Sequence, residues 1–122
     1  MSDFRFEEMD IWKDGISLSD KLFDIADSAE NKRLFKFAEQ FRSACMSITN
    51  NIAEGSGSYS DKDFANFLNT ARRSIFECAN ILYIFERRKI INQEIRSEIF
   101  PDLTALSRKI TNFRRALLNP TN

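Results

Sequence analysis

The sequence predicts an all-α fold, an antiparallel up-down four-helix bundle, and three observations predict it. Only three Gly and two Pro interrupt 122 residues, so few backbone breaks are obligatory and long helices follow. Apolar residues recur at alternating steps of four and three, the period of one helix face. No stretch alternates apolar and polar residues as a half-buried strand would. Residues 1–122 read as one domain, long enough to bury about two thirds of its unfolded surface. Residues 1–9 are expected as an extended lead-in and 119–122 as a tail.

The first helix is predicted from Asp10 to about Ala29, with Ile11, Gly15, Leu18, Leu22, Ile25 and Ala29 on its apolar stripe and Trp12, Ile16 and Phe23 widening it. The second covers about Lys32 to Ala53, with Leu34, Phe37, Phe41, Cys45, Ile48 and Ile52 as its seam. Gly55 stands where a C-terminal glycine would enter the left-handed region without a Cβ penalty. Ser60 and Asp63 then form an N-cap signature, and Asp61 and Asp63 suit the positive end of a helix dipole.

The third helix runs to about Arg88 and keeps the clearest periodicity: Phe64, Leu68, Ala71, Ile75, Cys78, Leu82 and Phe85. Its mean spacing of about 3.5 predicts neighbours crossing at about 20°. Asn92 caps a fourth helix carrying Ile95, Ile99, Leu103, Leu106, Ile110, Phe113 and Leu117. Pro101 lacks an N–H and disfavours helical geometry at Phe100, which predicts a kink or a short preceding helix. Phe35, Met46, Phe67, Phe76, Ile81 and Ile84 fall off the main seams. That second apolar layer exceeds one four-helix core and predicts contact with another copy of the chain.

Composition narrows the function classes. The N-terminus, Met1-Ser2-Asp3-Phe4-Arg5-Phe6-Glu7-Glu8, lacks a basic region followed by an apolar run, and no segment approaches the roughly 20 apolar residues of a membrane span. A cytoplasmic protein is the expectation. Cys45 and Cys78 fall at apolar helix positions, as buried reduced thiols would. With no His anywhere, the commonest general base and metal ligand is absent. Ser56-Gly57-Ser58 is too short to cradle phosphate. No metal or cofactor is expected, and no catalytic residue is assigned. The net charge of zero hides a segregation: residues 1–30 hold nine acids and three bases, a balance of −6, and residues 31–122 hold nine acids and fifteen bases, a balance of +6.

Phe41-Arg42-Ser43-Ala44-Cys45-Met46-Ser47-Ile48-Thr49-Asn50-Asn51-Ile52-Ala53-Glu54-Gly55 resembles the R-R-A-A-x-S-I-x-x-N-I-A-E-G signature of the four-helix-bundle proteins encoded in 23S ribosomal RNA intervening sequences. Phe6 to Trp12 is similar to that family's F-x-x-L-x-V-W opening. Asp63-Phe64, Phe67-Leu68 and Ala71 to Glu77 are similar to its E-F-x-x-F-L-x-x-A-R-G-S-x-x-E third helix. The resemblance covers about residues 6–85 in register. Ser43 stands in place of the second arginine, Thr49 of a frequent proline, Gly15 of a usual alanine and Arg73 of the glycine beside Ser74. The resemblance implies assembly as a closed homo-oligomeric ring, a pentamer, and a likeness to the accessory proteins of diversity-generating retroelements. Those are basic rings that partner a reverse transcriptase and bind nucleic acid.

Two sets of polar residues stand out. Ser43, Ser47 and Asn51 share a helical face by their spacing, and with Glu54, Arg72, Ser74 and Glu77 they are expected to form an interhelical network that fixes register. A ligand site, or an enzyme using Glu54 and Glu77, is the competing reading of that set. Arg87-Arg88-Lys89 and Arg108-Lys109 with Arg114-Arg115 are basic clusters. They read as solvated faces and dipole caps, or as phosphate contacts multiplied by a ring. No aromatic interleaving accompanies them, so any nucleic-acid contact would be backbone-directed. The leading expectation is a non-enzymatic ring-forming scaffold that binds RNA or DNA. A scaffold that recruits a protein partner and no nucleic acid is the alternative.

Overall fold

A computed structural model describes residues 3–119. A single 3₁₀ turn, Arg5–Glu8, precedes α1 (Asp10–Asn31), α2 (Phe35–Ser56), α3 (Asp61–Arg87) and α4 (Gln93–Leu118). Four helices and no strand are present among the described residues. The lead-in is therefore not wholly extended as expected: Phe6 sits half-buried against the core and its ring packs 4.9 Å from that of Trp12, and folding the segment back brings these rings together. Of the expected tail, Asn119 caps α4 and residues 120–122 lie outside the described ones.

Each helix packs along the one that follows it, and α4 closes back on α1 less extensively. The order is a square, α1-α2-α3-α4, with the α1/α2 face opposite the α3/α4 face. Cross-links confirm antiparallel neighbours: Lys21 Nζ to Asp102 Oδ2 at 2.9 Å, Lys109 Nζ to Asp14 Oδ2 at 2.6 Å, and Arg114 Nε donating to the Ala65 carbonyl at 3.0 Å. The seams of α1, α3 and the later part of α2 are buried as their spacing predicts, with Leu22, Phe41, Ile52, Leu68 and Leu82 fully excluded from solvent. None of the described helices is long and apolar enough to cross a membrane.

Caps terminate two helices as the sequence predicts. The Ser60 hydroxyl accepts from the Asp63 amide at 3.1 Å, and the Asn92 side-chain carbonyl accepts from the Ile95 amide at 2.9 Å. Each satisfies one of the amide donors that a helix start leaves orphaned.

Several expectations are corrected. α2 begins at Phe35 rather than Lys32, because Lys32, Arg33 and Leu34 are consumed in closing α1. Leu34 becomes its half-exposed N-cap and Ala38 takes the buried position. Gly55 does not end α2. The helix continues to Ser56 and Gly57 is its cap, with φ −89°. Gly55 instead lets α3 approach: a Cβ there would lie 2.7 Å from Phe67 Cβ and 2.8 Å from Phe64 Cδ1. Pro101 sits inside α4 and the helix runs through it as one element. Pro101 and Ser97 are both exposed, so water can satisfy the carbonyl that the missing N–H frees.

The second apolar layer divides. Ile81 is buried and Phe67 half-buried, whereas Phe35, Met46, Phe76 and Ile84 are exposed. Cys45 and Cys78 are free, buried thiols on α2 and α3 with their sulfurs 3.8 Å apart.

Candidate nucleic-acid interface

The two sequence-predicted basic clusters lie at opposite ends of the bundle. Arg114 reaches Ala65 near the start of α3, and Arg87 ends that helix about 33 Å away at ~1.5 Å per residue. Around the first of these ends the cluster's cations are partly committed. The Arg114 guanidinium is half-buried on the Ala65 carbonyl, and Arg115 Nη1 lies 3.4 Å from Asn112 Oδ1. One turn further in, Lys109 is paired to Asp14, whose hydrogen bond raises the lysine pKa above its ordinary value. Arg108 lines a groove between α3 and α4.

Arg87, Arg88 and Lys89 are exposed, and among the described residues none of their side chains has a hydrogen bond or ion pair. The up-down topology brings a second basic segment to the same end: Lys32 and Arg33 in the α1–α2 turn and Lys36 in the first turn of α2. Phe37 fixes the neighbourhood, since its ring stacks on that of Phe85 at 6.3 Å. Six exposed cations thus share one end. Of the acids there, Asp27 and Glu30 are held by Arg42, and Glu86 is held by Arg96. Glu39 and Glu94 remain, with Asp24 and Glu98 about a turn further in.

The backbone reason for this arrangement is the same in both turns. Leu34 N–H bonds to the Ala29 carbonyl at 2.9 Å and Arg33 N–H to Glu30 at 2.8 Å. Ile90 N–H bonds to Phe85 at 2.8 Å and Lys89 N–H to Glu86 at 3.0 Å. These are paired Schellman closures, which require a left-handed residue just past the helix. Arg33 (φ 64°) and Lys89 (φ 62°) occupy those positions. Glycine adopts this conformation freely, whereas a residue with a Cβ is held there at a cost of about 1 kcal/mol. Both turns carry a cation where glycine would be cheaper.

One half of this surface, Arg87-Arg88-Lys89, is evident as a run in the chain, whereas Lys32, Arg33 and Lys36 were not anticipated as part of it. A signal for them exists: Lys32-Arg33-Leu34 and Arg88-Lys89-Ile90 repeat the same basic-basic-aliphatic order. At the far end Asp3, Glu7, Glu8, Asp10, Glu54, Asp61 and Asp63 outnumber the cations Arg5, Lys13, Lys62, Arg114 and Arg115. The zero net charge therefore conceals an end-to-end dipole.

The expected polar network is smaller than predicted. The Ser74 hydroxyl lies 2.7 Å from Ser47 Oγ and 3.1 Å from the Thr70 carbonyl, and Asn51 Nδ2 donates to the Ser47 carbonyl at 2.7 Å and to its Oγ at 3.0 Å. Ser43 and Glu54 are exposed on the outer side of α2. Glu77 accepts from Gln40 Nε2 at 3.0 Å, and the Arg72 guanidinium lies 4.7 Å over the Phe76 ring. Ser47, Asn51 and Ser74 come together; the other four do not join them. Among the described residues, no group of three or more Cys, Asp or Glu gathers as a metal would require.

The family model of the 23S rRNA-intervening sequence protein matches residues 7–112. The chain belongs to that family. The match spans all of α1, α2 and α3 and most of α4, so the fourth helix, which the sequence motifs left uncovered, falls within it. No curated protein matches this family member. Within it, both basic turns lie inside the matched region, and Arg114 and Arg115 lie beyond it.

Proposed function

We propose that this protein is a non-enzymatic, homo-oligomeric helical scaffold of the cytoplasm that holds RNA or DNA by its phosphates. The supporting observation is the convergence of Lys32, Arg33, Lys36, Arg87, Arg88 and Lys89 at one end, exposed and uncommitted, with two of them held in left-handed turns. Lys and Arg without internal partners release counterions when they meet phosphates, and that release drives sequence-tolerant binding. In a ring, the pentamer that the family resemblance implies, one basic end per protomer adds by multivalency what a single end supplies weakly. Arg108, Lys109, Arg114 and Arg115 contribute less in this reading, because Lys109 and Arg114 are spent inside the chain.

The test is anisotropy of labelled RNA and DNA oligomers from low to physiological salt. Affinity is expected to fall steeply with salt for the native protein. Reversal of Arg87, Arg88 and Lys89 to Glu is expected to lower both the affinity and the slope. Unchanged binding in that variant sinks the phosphate reading. The exposed rings of Phe35 and Phe76 favour the alternative, a scaffold for a protein partner; absence of binding even at low salt would select it.

A further inference from the structure

We propose that copies of this chain join head to tail, the α3/α4 face of one seating the α1/α2 face of the next. This rests on the homo-oligomeric reading above and assigns the two surfaces that meet. The α3/α4 face carries a groove of about 290 Å³ with an apolar floor that includes Ile75, Ala79 and Leu103. Phe76, 58% exposed, and Phe100 flank it, and Arg72 and Arg108 stand at its rim. Arg72 Nε is buried there with no hydrogen-bond acceptor. A guanidinium donor removed from water and left unpaired costs free energy, and a carboxylate arriving at the groove would relieve it.

The opposite face supplies that chemistry. Asp27 bonds Arg42 of α2 at 2.7 Å, so the α1 strip in step with it, Ile16, Asp20 and Phe23, borders α2. Met46 lies one turn beyond Arg42 and is 51% exposed, and Ile16 is 40% exposed. Asp20 and Glu39 flank this strip, exposed and without an ion-pair partner among the described residues. One face thus carries arginines without an acidic partner beside aromatic rings, and its opposite carries carboxylates without a cationic partner beside Ile16, Phe23 and Met46. Like faces would repel in a two-fold dimer, whereas unlike faces on opposite sides propagate as rings or filaments.

The other two sides carry ties within the chain. α1 and α4 are tied by Lys21–Asp102 and Lys109–Asp14, and α2 and α3 by Gln40–Glu77 and the serine pair. Area agrees as well. The smaller face, two 22-residue helices about 33 Å long and together about 20 Å wide, presents roughly 660 Å², within the roughly 600–1,000 Å² per partner of a stable interface.

The experiment is sedimentation velocity of the full chain at micromolar concentration, with circular dichroism to establish helicity. The native protein is expected to sediment as a single closed oligomer. R72E/R108E and, separately, D20R/E39R are expected to sediment as monomers of unchanged helicity. The fourfold variant, which restores opposite charges across the joint, is expected to reassemble. A monomeric native protein overturns the oligomeric reading and this proposal with it. A native oligomer that both reversals leave intact, or a helical fourfold variant that stays monomeric, overturns only the proposed pairing of faces.

Discussion

Thr49 Cγ2 lies 2.8 Å from the point that a Cβ on Gly15 would occupy, so these two residues of α1 and α2 share a single van der Waals space. The structure makes the two positions a single exchange: the methyl absent from α1 at position 15 is supplied by Thr49 of α2.

That exchange predicts a change of sign. Alanine at position 15 gains about 1 kcal/mol of helix propensity but overpacks against Thr49 by about 1–3 kcal/mol. Gly15→Ala should therefore destabilise the native chain by about 1 kcal/mol, whereas in a Thr49→Ser background it should stabilise. Urea denaturation of the four proteins of the cycle checks this. Additive effects would mean that α1 and α2 are free to separate at this point.

Ser74 should matter through Ser47. Replacing either by Ala is expected to cost about 1 kcal/mol, the net worth of one hydrogen bond. The double variant should cost less than the sum, because each single change strands the other hydroxyl. Thermal melts of the three variants decide. Strict additivity would place the two hydroxyls apart.

The thiols should be silent. The hydrogen bond to Cys45 and then burial push the Cys78 pKa far above its ordinary value, so the nucleophilic thiolate is suppressed. Native protein at pH 8 should react with a thiol reagent no faster than it unfolds, and rapid labelling of either cysteine would contradict this. The sign of the pH dependence follows. Above about pH 9 the unfolded chain loses the Cys78 proton and the folded chain keeps it, so stability falls as pH rises. Lys109 acts in the same direction. Asp14 raises its pKa, and its contribution is present below the unfolded value and lost as pH climbs through the folded one. Cys78→Ala and Lys109→Met should each flatten the alkaline limb of a stability–pH curve.

Arg33 and Lys89 should set stability against binding. Glycine at either position removes about 1 kcal/mol of left-handed strain and loosens the unfolded chain by about half of that or more, for a net gain of up to about 0.5 kcal/mol. The same change deletes one cation from the basic end. Arg33→Gly and Lys89→Gly should melt higher and bind RNA or DNA with a shallower salt slope. A variant that melts higher with an unchanged slope would make the residue a strained turn and nothing more.

Much of the bundle is legible in the chain because helix burial is a periodic, local property. The uninterrupted spacing from Phe64 to Phe85 places α3 without reference to any partner, and Ser60 and Asn92 announce the starts of α3 and α4 through short-range hydrogen bonds. The ends of α1 and α2 were harder. A left-handed closure is most often written with glycine, and at the end of α1 Arg33 carries it; Gly55, which looks like a terminator, serves instead as a gap for Phe64 and Phe67. The candidate site was half legible. Arg87-Arg88-Lys89 is a run along the chain, but its union with Lys32, Arg33 and Lys36 exists only after the helices have reversed direction twice.

The sequence by itself determined the helices, their apolar faces, two of their caps and the family, since each is encoded within about a turn or two of contiguous residues. Only the tertiary structure decided which cations remain free, which opposite faces complement one another, and which serines of the polar stripe meet. Those are properties of distance in space. Lys109 and Lys89 are the same residue type, one inside α4 and one in the turn before it, and antiparallel packing brings Asp14 to the first and leaves the second exposed.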